Sequence, residues 1–190
     1  MKILTLTPSG FPNKWISVEK AMFYHAKDLV AWGIGDDIVT YHCGERMGKV
    51  HTLSTPSIIA IKNRSSTKTP VNQRIILSNS ALFERDRNLC CYCGDVHNAS
   101  HLSRDHVTPR FLGGKDIWTN VVTSCTDCNS LKDKFTLKQL GWKMLYVPYE
   151  PTFHESLILA NRNILADQMD FLLANVPKES RIRSKILLAA

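Results

Sequence analysis

Asp105 and His106 stand side by side in "SRDHVTPRFLGG", Ser103 to Gly114. An aspartate offers hard oxygen ligands, and a histidine can accept a proton near neutral pH. Alone, the pair also fits a hydrogen-bonded turn. Its flanks carry a second chemistry. Cys90 and Cys93 in "CCYCGD", and Cys125 and Cys128 in "CTDC", form two C-x-x-C pairs separated by 31 residues. Each pair can make a knuckle whose sulfurs point into one tetrahedron. Four thiolates at about 2.3 Å satisfy Zn²⁺ and leave no open position, which makes such a site structural. Cys90 rather than Cys91 has the two-residue spacing to Cys93, and Gly94 allows the turn. A redox dithiol pair is the alternative for the four, and His97 and His101 are competing ligands. Cys91 and Cys43 are left as free thiols.

The elements that must hold these residues follow from pattern. "LSRDHVTPR" reads as a strand running into a loop, which Pro109 and the Gly-Gly end. "DIWTNVV" puts Asn120 at a loop end before a short apolar stretch. Ser124 and Asp127 form an S-x-x-D capping pattern, so a helix is expected to start at Cys125. On it Cys128 reaches the metal while Asn129 faces the Asp-His loop. Upstream, "KILTLT" reads as a strand and "SGFPNKW" as a turn. A helix capped by Ser17 then runs to about Trp32. "DIVTYHC" and "SIIAIK" read as strands, "NRSSTKTP" as a polar, basic boundary loop, and "SALFERDRN" as a short helix. "GWKMLYVPYEPT" is a connector broken by proline. Thr152 and Glu155 form a capping box that opens one last amphipathic helix through Leu172, and a basic tail follows.

The bulk numbers bound the rest. The chain has 190 residues, 44% hydrophobic and 22% charged, a globular composition with a formal net charge of +7. That surplus favours a polyanionic partner. The start, "MKILTLTPSGFP", lacks the apolar run and cleavage site of a signal peptide, and no apolar run approaches the roughly 20 residues of a membrane span. The expected setting is therefore a reducing cytoplasm with no membrane contact, where six cysteines serve as ligands or free thiols.

Together these motifs carry a resemblance. "RDRNLCCYCGD … SRDHVTPRFLGGKDIWTNVVTSCTDCNSLKDKFT" resembles the HNH endonucleases with a four-cysteine zinc site, over about Arg85 to Thr136, roughly a quarter of the chain. "SGFPNKWISVEKA" resembles, more weakly, the leader of some bacterial and phage proteins of this class, which implies a bacterial or phage-infected cell. The resemblance implies an α+β chain with a ββα-metal core at 79–140, a small mixed α/β accessory region at 1–78, and a helical extension with a basic tail at 141–190. It puts His106, Asn120 and Asn129 at the three HNH positions, an H-N-N variant. His106 would be the general base that activates water. Asn120 would hold the loop through backbone hydrogen bonds. Asp105 and Asn129 would hold a catalytic Mg²⁺ or Mn²⁺, which suits oxygen donors better than a second Zn²⁺ does.

The expected activity is hydrolysis of DNA phosphodiester bonds. Arg104, Arg110, Lys115, Lys132 and Lys134 are the candidate phosphate contacts. One such site cuts one strand, so cutting both needs a homodimer or a second binding event. Two other functions compete: a non-catalytic zinc-ribbon nucleic-acid binder, and an interaction module docking through its N-terminal segment.

Overall fold

The computed structural model describes residues 1–46, 49–62 and 75–183. The expected boundary loop at 63–70 and the tail from 184 lie outside them, as does the side chain of Cys43. The strands are β1 (Lys2–Leu6), β2 (Pro12–Ser17), β3 (Val30–Arg46), β4 (Lys49–Ile61), β5 (Leu102–His106) and β6 (Val121–Cys125). The helices are α1 (Val18–Ala26), α2 (Asn79–Arg85), α3 (Thr126–Lys132), α4 (Leu137–Leu140), α5 (Phe153–Leu159) and α6 (Ala166–Leu173). They form two compact units, Met1–Gln73 with Asn161–Ala190, and Arg74–Ala160. Among the described residues no helix is long and apolar enough to cross a membrane.

The first unit is a mixed sheet in the order β2-β1-β4-β3, with β1 parallel to β4 and the other pairs antiparallel. Ile3, Ile16, Ala21 and Ile59 form its core against α1. The expected turn over "SGFPNKW" is mostly strand. Gly10, at φ +84°, closes a tight turn on Thr7, and the chain then enters β2. Ser17 caps α1, accepting from the Lys20 N–H at 3.3 Å, but the helix ends at Ala26 rather than near Trp32. Asp28 turns to φ 52° and the stretch from Val30 pairs with β4, so sheet pairing overrides helical spacing. α6 belongs to this unit. Its fully buried Gln168 donates to the Lys2 carbonyl at 3.0 Å and the Ser57 carbonyl at 2.8 Å. The single last helix is in fact two, α5 and α6. Asn161 Oδ1 accepts from the Asn163 N–H at 3.2 Å, a local turn that competes with the helix between them. The Thr152–Glu155 capping box is present on α5.

The second unit is wider than 79–140. The connector bonds back to the cysteine region, through Leu145 N–H to the Cys91 carbonyl at 2.9 Å and Tyr146 Oη to the Leu89 carbonyl at 3.0 Å. Its core is Leu82, Phe83, Leu102, Trp118 and Val121. β5 and β6 form an antiparallel hairpin, with His106 opposite Val121 and Leu102 opposite Cys125, and α3 follows β6 directly.

Arg85 ties this unit together. Its guanidinium makes two hydrogen bonds to Asp86 and donates to the carbonyls of Trp118, Val121 and Tyr149 at 2.8 to 2.9 Å. Both charged side chains are fully buried, and Asp86 also accepts from the Thr123 N–H. Such a pair is balanced only while complete. Arg85→Ala leaves a buried carboxylate and three carbonyls without their donor, and should cost about 3–5 kcal/mol of stability. Denaturant unfolding of the variant against wild type measures this loss.

Candidate functional site

The cysteine cage sits where two local turns meet. The Gly94 N–H donates to the Cys90 carbonyl at 3.1 Å, and Gly94 takes φ +83°, so the first pair closes a tight knuckle. The second pair straddles the start of α3. There Cys125, not Ser124, is the cap, and its sulfur accepts from the Cys128 N–H at 3.3 Å. Ser124 is the last residue but one of β6, so its hydroxyl is not at the helix start.

The Sγ atoms of Cys90, Cys93, Cys125 and Cys128 all lie within 4.8 Å of one another. A tetrahedron with metal–sulfur bonds of about 2.3 Å has edges of about 3.8 Å, so the set fits one Zn²⁺. The electrostatics agree. Burial pushes the Cys93 and Cys128 thiols up, and the neighbouring sulfurs add to the rise. Burial opposes ionisation at Cys90 too, but backbone hydrogen bonds at Cys125, Cys93 and Tyr92 outweigh it and bring that thiol down to about 6. A central cation would relieve the repulsion among the other thiolates.

Cys93, Asp95 and His97 also lie close enough to share an ion, so His97 competes through a set that uses a cage cysteine. The His101 Nδ1 instead pairs with the Ser100 hydroxyl at 3.1 Å. Cys91 is a buried thiol whose Sγ faces the Tyr146 carbonyl, and burial raises it.

β5 divides the remaining residues between its two faces, because strand side chains alternate. Ser103 and Asp105 turn toward α3. Asn129 Nδ2 donates to Ser103 Oγ at 2.9 Å, and Lys132 Nζ donates to Asp105 Oδ1 at 2.9 Å and to the His106 carbonyl at 2.9 Å. The Tyr92 hydroxyl donates to the other carboxylate oxygen of Asp105. Lys132, expected on the phosphates, is therefore 1% exposed and unavailable to them. It lies one turn along α3 from Asn129, on the face that meets β5.

Arg104 and His106 turn the other way, toward Asp116. His106 Nε2 lies 3.0 Å from Asp116 Oδ1, and Arg104 Nη1 donates to Asp116 Oδ2 at 2.6 Å. Arg104 Nε donates to Asn79 Oδ1 at 3.0 Å. Hydrogen bonding from Arg104, ahead of the contact from His106, holds the Asp116 carboxyl below its ordinary range. Arg104 is thus committed to an ion pair, whereas Arg110, Lys115 and Lys134 are exposed. Asp105 and His106 are neighbours on β5 whose side chains leave by opposite faces, and Asn129, on α3, bonds to Ser103 on the Asp105 face.

Asn120 anchors the loop between them. Its side chain accepts from the Thr108 N–H at 2.9 Å and donates to the carbonyls of Thr108 and Lys115 at 3.2 and 2.9 Å. Gly114 lets this loop fold tightly, since a Cβ there would come within 1.8 Å of the Thr108 carbonyl oxygen.

The groups around Asp105 include oxygen donors of the type a hard cation takes, although the buried Lys132 ammonium already pairs with the carboxylate. An ionised carboxylate has about four lone-pair sites, of which Lys132 and Tyr92 use two, and Asn129 keeps its amide oxygen outside its bond to Ser103.

Residues 90–145 match a family model described as HNH endonuclease. Over that segment the chain is similar to the HNH endonucleases. The match begins at Cys90 and spans both cysteine pairs, Asp105, His106, Asn120 and Asn129. Comparisons with curated proteins and with solved structures returned no match. Within the HNH segment, sequence reasoning missed Asp116, Tyr92 and the buried role of Lys132. Asp116 sits ten residues beyond His106, and only the folded loop brings the two together.

Proposed function

We propose that the protein is a metal-dependent endonuclease that hydrolyses DNA phosphodiester bonds, with the β5–β6 hairpin and α3 as its ββα core. The observation that carries this is the HNH family match over a segment in which His106 stands at the end of β5 with its imidazole hydrogen-bonded to a carboxylate. His106 acts as the general base. As a water oxygen forms its bond to phosphorus and the bond to the 3′ oxygen breaks, the imidazole takes the water's proton, and the leaving oxygen is protonated from solvent. Asn120 holds the loop that carries the chain away from His106. Asp105 and Asn129 are the residues that would hold Mg²⁺ or Mn²⁺. When bound, the ion supplies charge stabilisation at the phosphate and the leaving oxygen. Arg110, Lys115 and Lys134 are exposed around the loop and α3, where phosphates could meet them. The cysteine cage with Zn²⁺ fixes α3 against the hairpin.

One observation favours a second reading, the non-catalytic nucleic-acid binder. Lys132 and Tyr92 already hold the Asp105 carboxylate, as in a purely structural ion pair. Zinc-loaded protein incubated with supercoiled plasmid separates the two. Nicking or linearisation with Mg²⁺ or Mn²⁺, abolished by EDTA and restored by excess Mg²⁺, is the expected result. DNA binding without cleavage in either metal would establish the binder instead.

A further inference from the structure

We propose that Asp116 is a positioning residue that fixes the tautomer of His106, and that Arg104 fixes how Asp116 does so. The inference rests on His106 being the base. Arg104 and His106 are two residues apart on one face of β5, and both reach the same carboxylate, at 2.6 Å and 3.0 Å. A carboxylate only accepts hydrogen bonds. Nε2 therefore carries the imidazole hydrogen, and the lone pair that can take a proton lies on Nδ1. Once Nδ1 has accepted the proton, the Asp116 charge lies beside the imidazolium. This is the logic by which a buried aspartate serves the histidine of a hydrolase triad, transferred here to a base whose partner is 45% exposed.

The bland alternative is a surface staple that pins the loop onto β5. Asp116 is 45% exposed and Arg104 keeps its bond to Asn79 without it, so this half-solvated pair adds little to stability and removing Asp116 should leave the fold intact under either role. The amide variant tells the roles apart. In Asp116→Asn, Arg104 has only donors and needs the amide oxygen. The NH₂ group is then turned toward His106 Nε2, which must become an acceptor. The hydrogen moves to Nδ1, and the base is blocked. Asp116→Ala merely frees both tautomers. The order of cleavage should therefore be wild type, then alanine, then asparagine. A staple predicts the reverse order for the two variants, because asparagine still offers Arg104 an acceptor.

The test compares wild type, Asp116→Ala, Asp116→Asn, His106→Ala and the His106→Ala/Asp116→Ala double variant, all zinc-loaded. Single-turnover cleavage of a labelled duplex is measured at saturating protein. The ring nitrogens of His106 are followed by ¹⁵N NMR, with the resonance assigned by its loss in His106→Ala. The expected results are a fall on the order of ten- to a hundredfold for alanine, a larger fall for asparagine, and no further loss when alanine is added to His106→Ala. The ring should be protonated on Nε2 in wild type and on Nδ1 in Asp116→Asn, a readout that needs no activity. Asp116→Asn cutting as well as Asp116→Ala, or an unchanged tautomer in it, overturns the inference while leaving the endonuclease standing. Wild-type cleavage that survives His106→Ala overturns the inference together with the base on which it rests.

Discussion

Cys125→Ser should lose its zinc and unfold the 74–160 unit. Cys125 is 4% exposed and ends β6 through its backbone, while its one sulfur both caps α3 and belongs to the four-thiol cage. Serine can still cap a helix through its hydroxyl, and its β6 backbone bonds are untouched. The substitution therefore isolates the metal. Zinc bound by four thiolates contributes on the order of 10 kcal/mol to folding, as much as the whole stability of a typical domain, about 5–15 kcal/mol. The loop from Gly94 to Ser124, with the hairpin inside it, hangs between the two cysteine pairs. Without the ion, the small core around Trp118, the Arg85 network and the bonds from Lys132, Tyr92 and Asn129 are left to hold that loop. Metal analysis and thermal unfolding of the purified variant check the expectation. Cys91→Ser, at a buried thiol outside the cage, should keep one zinc per chain. A Cys125→Ser protein that is zinc-free and as stable as wild type would exclude a structural role for the metal.

What was legible in the sequence was what local spacing encodes. Each cysteine pair forms locally, Cys90 and Cys93 on the turn that Gly94 closes and Cys125 and Cys128 at the start of α3. The Thr152–Glu155 capping box and the strand β5 were likewise readable from nearest neighbours, whereas the S-x-x-D pattern at Ser124 misled, because Ser124 is still in β6 and Cys125 is the cap. What failed depended on distant partners. α1 stops at Ala26 because Val30 onward finds β4, some thirty residues away in sequence. The placing of Lys132 among the phosphate contacts followed from its charge, but α3 turns it into the hairpin, where Asp105 and the His106 carbonyl satisfy it. Asp116 had no signal beyond being a carboxylate near a histidine. Its meaning comes from the loop that Asn120 folds and from the alternation of β5, which sends Arg104 and His106 to it and Asp105 elsewhere.

That alternation shapes the second large effect. His106→Ala should reduce cleavage by about two to four orders of magnitude, the usual contribution of a positioned base. The imidazole is partly exposed at the end of β5, and its only side-chain bond among those the described residues make is to Asp116. Truncating it leaves no buried charge unpaired, and the Lys132 bond to the residue's carbonyl is kept because that atom belongs to the backbone. Zinc content and folding should therefore stay as in wild type. DNA affinity should stay close to wild type too, since Arg110, Lys115 and Lys134 are untouched. A loss confined to the rate at saturating protein marks an interaction made in the transition state alone.

The most direct measurement is single-turnover cleavage of a labelled duplex by zinc-loaded His106→Ala in Mg²⁺, with binding followed in parallel. Cleavage slowed at least about a hundredfold at unchanged affinity is the predicted result; cleavage at the wild-type rate would contradict His106 as the base of this nuclease.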